Sequence, residues 1–81
     1  MLTEKKLISI IQKVINPKGK NINLKSSSSN IENWDSLNHL NILENLDNVT
    51  KGKAGNIAEL AMAMSVKKIL KILKSKKLLS K

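Results

Sequence analysis

The sequence predicts an all-α domain, a small four-helix bundle with a long loop between helices 1 and 2 and a short third helix. Three observations predict it. Apolar residues return at helical spacing in separate stretches, polar linkers with Pro or Gly divide those stretches, and the apolar side chains are almost all aliphatic. With 81 residues the chain is one domain, residues 1–81, with a correspondingly small core. Its 41% apolar content is enough to fold and too high for a disordered tail.

The first helix is expected over residues 3–15. Leu7, Ile8, Ile11, Val14 and Ile15 share one face, Glu4, Lys5, Gln12 and Lys13 lie opposite, and Thr3 is placed as the N-cap. Asn16-Pro17 ends it, because a residue before proline is pushed out of the α region. Residues 17–34 then form a connection with Gly19 and the serine run 26–29, which reads as a solvated spacer. Ile22, Leu24 and Ile31 are its expected apolar anchors, and Trp34 ties its end to the bundle.

The second helix should begin at Asp35 or Ser36 and run to Val49. Leu37, Leu40, Leu43 and Leu46 form its apolar stripe, flanked by Ile42 and Val49, with Asn38, Asn41, Glu44, Asn45, Asp47 and Asn48 around them. Residues 51–55 make a turn. A short third helix is expected over residues 56–62, using Ile57, Leu60 and Ala61. Ser65 then caps a fourth helix with Val66, Ile69, Leu70 and Leu73 at i, i+3, i+4 and i+7.

Composition excludes several functions. With no cysteine there is no disulfide, thiolate metal site or cysteine nucleophile. One histidine and few carboxylates do not assemble a nucleophile, base and orienting group, so no catalytic residue and no metal site are expected. The N-terminal stretch interrupts its apolar residues with Glu4, Lys5 and Lys6, unlike a signal peptide, and no segment approaches the ~20 apolar residues of a membrane span. A cytoplasmic monomer is the expectation. The net charge of +9 comes from fifteen lysines and no arginine, which favours loose attraction to anionic surfaces.

The Trp34-Asp35-Ser36-Leu37 stretch, where a long loop becomes a helix, resembles the acyl carrier protein family, whose signature is Asp-Ser-Leu at the start of the second of four helices. The resemblance spans nearly the whole chain. It implies an acyl or aminoacyl carrier holding substrates as thioesters on a covalent 4'-phosphopantetheine arm, transferred from coenzyme A to Ser36. It implies as partners a phosphopantetheinyl transferase and acyl- or aminoacyl-activating enzymes, met by Asp35, Leu37, Glu44 and Asp47. Asn33 stands where many members have glycine, and the chain is basic where most are acidic, which points to a specialised pathway rather than general fatty-acid synthesis.

The alternative is a basic helical nucleic-acid-binding module, weakened by the absence of arginine, so no sequence-specific nucleic acid is expected. His39, one turn after Ser36, reads as a solvated polar residue, and Met62 and Met64 as gap-fillers. Lys67, Lys68, Lys71, Lys74, Lys76 and Lys77 read as a solvated face of the fourth helix, without stable membrane insertion because that helix's apolar residues serve the core.

Overall fold

The structure is a computed structural model describing residues 2–15 and 22–79. Three α-helices form it: α1 (Glu4–Ile15), α2 (Ser36–Val49) and α3 (Val66–Ser75). One hydrophobic core joins Leu7, Ile11 and Ile15 of α1, Ile42 and Leu46 of α2, and Val66, Ile69 and Leu73 of α3. Trp34 and Leu60 enter that core from the connections. Such aliphatic packing supplies most of the stability of a domain this small.

Each helix starts as its sequence requires. Thr3 accepts the amide of Lys6 at its hydroxyl, 3.1 Å away, opening α1. The Asp35 carboxylate accepts the Asn38 amide at 2.9 Å and caps α2. Ser65 does the same for α3 through the Lys68 amide at 3.1 Å. These caps satisfy amides that have no carbonyl one turn earlier. The Asn16-Pro17 stop lies outside the described residues.

The expected short third helix does not form as an α-helix, the expected fourth helix is α3, and the four-helix bundle is corrected to three α-helices among the described residues. In place of a helix over residues 56–62, the chain forms two short 3₁₀ segments, Ala54–Asn56 and Ala58–Met62. Ile57 separates them with φ −101° and ψ 94°, an extended conformation incompatible with a continuous helix. Gly55 and Asn56 are weak helix formers, and five residues are too few to establish i→i+4 bonding. Leu60 alone of the expected trio is fully buried; Ile57 is half-buried and Ala61 is exposed.

The apolar stripe of α2 also differs from expectation. Its buried residues are His39, Ile42 and Leu46, whereas Leu37 and Leu40 are 70% and 60% exposed. Residues spaced by three fall short of a full turn by roughly 60° at each step, so a leucine every third position sweeps around the helix. Leu46 lies on the core side, Leu43 at its margin, and Leu40 and Leu37 outside.

The loop before α2 is pinned rather than merely solvated. Ser28 donates its amide to the Met64 carbonyl at 2.9 Å, and the Val66 amide donates to the Ser26 carbonyl at 3.0 Å. The serine run therefore lies against the entrance to α3. Ile22 is buried, and its amide reaches the Gln12 side-chain oxygen at 2.6 Å, but Leu24 stays 44% exposed and is no anchor.

At the end of α2, Thr50 accepts the Ala54 amide at its hydroxyl, 2.9 Å away. Lys51 and Gly52 follow with φ of 57° and 88°. Gly52 thus sits where only glycine is unstrained.

Candidate functional site

The start of α2 presents most of the residues that the sequence singled out, on a support buried beneath them. Trp34 is 2% exposed and its indole Nε1–H donates to Nδ1 of His39 at 3.0 Å. The other ring nitrogen of His39 lies 2.8 Å from the Leu60 carbonyl oxygen. An acceptor at Nδ1 and a donor at Nε2 define one neutral tautomer, with both nitrogens occupied. His39 is therefore a buried connector between the loop, α2 and the second 3₁₀ segment, and its reading as a solvated residue is corrected. Its position at i−3 from Ile42 and i−7 from Leu46 was the available signal for burial.

Asparagines complete this elbow. The Asn38 side-chain amide donates to the Asn33 carbonyl at 2.7 Å, and the Asn33 side-chain amide donates to the Ile15 carbonyl at 3.3 Å. The α2 start is thereby tied to the end of α1. A rigid base holds the outer face in place.

On that face stand Ser36, Leu37, Leu40 and Glu44, all exposed. Leu37, Leu40 and Glu44 follow at i, i+3 and i+7, so they share one stripe. Asp35 sits at its edge, although its carboxylate already caps the helix. Asp47 is half-buried, and its Oδ1 accepts the Gly55 amide at 2.7 Å. Asp47 thus braces the turn after α2 more than it faces outward. Of the four residues expected at a docking face, Leu37 and Glu44 are freely presented and Asp35 and Asp47 also have structural tasks.

The electrostatics of this region are set by the sequence. Four of the six carboxylates and none of the fifteen lysines lie between residues 26 and 50. The segment carrying α2 is therefore an acidic island within a basic sequence. Among the described residues, no three of His, Cys, Asp and Glu come together in a group able to hold a metal ion. Ser36 and His39 do not form a nucleophile–base pair, because His39 is buried with both nitrogens engaged elsewhere.

No family model matches the chain, and no curated protein or solved structure is significantly similar to it. Together with three α-helices in place of four, this overturns the resemblance to acyl carrier proteins. The acyl or aminoacyl carrier function, with its thioester chemistry, is withdrawn with that resemblance. Asp35-Ser36-Leu37 is accounted for by local physics: Asp35 caps the helix, Ser36 occupies its first turn and Leu37 faces outward.

Proposed function

We propose that this chain is a non-catalytic docking module that binds another protein through the outer face of α2. The partner's face would be an apolar depression rimmed by lysine or arginine. The observation behind this reading is the exposure of Leu37 and Leu40, 70% and 60%, on a rigid helix inside the acidic island. Burying each leucine would contribute about 1.5–3 kcal/mol. The support beneath them limits the ordering cost that would otherwise offset this gain. Asp35, Glu44 and the partly exposed Asp47 would steer a basic rim and set the approach rate.

Charge also selects against the simplest rival occupant, a second copy meeting α2 face to face. Such a two-fold contact would set the acidic residues Asp35, Glu44 and Asp47 of one copy against the same acidic set of the other. A monomer that meets a basic partner follows from the same distribution. No described helix is long and apolar enough to cross a membrane, and a cytoplasmic setting belongs to the proposal.

The test places a photo-crosslinking residue at Leu40 in cells, with a control at Asn30 in the exposed loop. The protein joined through position 40 is then purified and titrated with the wild-type chain and with Leu37→Ser plus Leu40→Ser. Support requires that the double variant lose at least about tenfold in affinity and that the crosslink map to an apolar, basic-rimmed site. A crosslink to a second copy of the chain, or unchanged affinity of the double variant, overturns the reading.

A further inference from the structure

Along α3 the lysines and the exposed apolar side chains form one pattern that the α2 face does not explain. Lys67, Lys71 and Lys74 recur at i, i+4 and i+7, and Lys68 stands beside them; all four are exposed. Among the described residues the one ion pair is Lys76 to Glu59, at 3.5 Å, so none of these four is neutralised by a carboxylate. Two clefts border the stripe. In one, Leu24 stands with Lys25, Lys67 and Lys74, and Glu4 is the carboxylate at its rim. In the other, Met62 stands with Lys68, Lys71 and Ile72, and Glu59 is the carboxylate. Leu24 is 44% exposed and Met62 is 82% exposed. An exposed apolar tip therefore flanks the lysine stripe on either side.

From this arrangement we infer that the α3 face is a reversible docking surface for an anionic phospholipid bilayer. Lysines at the headgroup level gain from the negative surface potential, while Leu24 and Met62 reach into the apolar boundary. Val66, Ile69 and Leu73 remain in the core, so the domain adsorbs as a folded unit. Charge alone would serve any polyanion. The flanking side chains favour lipid, because an exposed methionine or leucine gains little from a phosphate backbone and much from an acyl boundary. The chain also has no arginine for bidentate recognition, and its one indole is buried. The α2 face is a separate surface: α3 packs mainly on α1 and the second 3₁₀ segment.

The experiment is co-sedimentation of the full chain with vesicles of phosphatidylcholine and phosphatidylglycerol, against pure phosphatidylcholine vesicles and a free DNA duplex. Binding to the anionic vesicles alone is expected, falling about fivefold for each of Lys67, Lys68, Lys71 and Lys74 changed to Gln. Leu24→Ser with Met62→Ser should weaken it by on the order of tenfold without altering charge. Circular dichroism checks the fold of each variant. A second measurement needs no multiple variant: the cysteine-free chain accepts a single environment-sensitive dye at Met62→Cys, whose emission should shift to the blue on anionic vesicles, while the same dye at Asn45→Cys on α2 should not shift. Failure to bind anionic vesicles overturns the inference. So does indifference to the Leu24 and Met62 changes, an unshifted dye at position 62, or tighter binding to the duplex than to the vesicles.

Discussion

Trp34 and His39 hold each other across the entrance to α2: the indole N–H meets the imidazole Nδ1 at 3.0 Å, with ring centroids 6.1 Å apart. Because Nε2 of the same imidazole meets the Leu60 carbonyl, the pair ties the end of the loop and the start of α2 to the second 3₁₀ segment, 21 positions further on. Both rings are buried, so neither group can exchange its partner for bulk water.

Trp34→Phe should therefore destabilise the domain by about 1–3 kcal/mol beyond the loss of ring area, since it leaves a buried acceptor without its donor. His39→Leu strands both the Trp34 N–H and the Leu60 carbonyl. Urea unfolding of both single variants and the double variant should give a coupling of about 0.5–3 kcal/mol. Additive effects would mean that the bond contributes nothing. The tryptophan emission of the wild type should be that of a buried indole and shift to the red on unfolding.

The turn after α2 makes a second prediction. A Cβ at Gly55 would lie 2.5 Å from Oδ1 of Asp47, the atom that accepts the Gly55 amide. Gly55→Ala must push that carboxylate aside and should cost on the order of 1–2 kcal/mol. In an Asp47→Ala background the same change should cost markedly less. At Gly52 nothing lies within 4 Å of an added Cβ, so any loss in Gly52→Ala comes from its φ of 88°. That loss should be about 1 kcal/mol and independent of Asp47.

Caps offer a third check. Asp35→Ala and Ser65→Ala should each lower stability by about 1 kcal/mol, and Asp35→Asn should retain most of it. The Ser65 change has a further consequence, because the Ser26 and Met64 backbone contacts lie beside that cap. Amide exchange in the serine loop should quicken in Ser65→Ala and stay unchanged in Asp35→Ala.

What was legible before the structure follows from how local the cause is. The α1 and α3 apolar faces and the Thr3 and Ser65 caps depend on neighbours within one turn, and the residue spacing displays them. The 3₁₀ segments depend on Gly55, on the extended Ile57 and on the Leu60 carbonyl reaching His39, a contact across 21 positions. The leucine-every-third pattern misled because it resembles a helical stripe while drifting around the helix. The sequence marks Trp34 as an anchor but hides its partner, because a histidine among asparagines resembles a solvated residue. The family resemblance rested on one tripeptide and an element order that the structure does not reproduce. At the α2 site the family resemblance implies Leu37 and Glu44 as partner-facing residues, whereas the leucine-every-third pattern puts Leu40 inside and so hides its exposure.

The buried and the exposed aliphatic side chains of α2 make the sharpest prediction, because they separate docking from folding. Ile42 and Leu46 are fully buried, so Ile42→Ala or Leu46→Ala should cost about 2–5 kcal/mol in unfolding experiments. Leu37 and Leu40 are mostly exposed, and serine at either position should change stability by no more than about 0.5 kcal/mol. If the outer face is a docking surface, the inexpensive pair should govern partner affinity. Glu44→Lys should act differently again, slowing association more than it hastens dissociation, with a penalty that shrinks as salt is added. A stopped-flow series over these variants reads both rates. Should Leu37→Ser and Leu40→Ser unfold the domain as readily as Leu46→Ala, those side chains would belong to the core and the docking face would lie elsewhere.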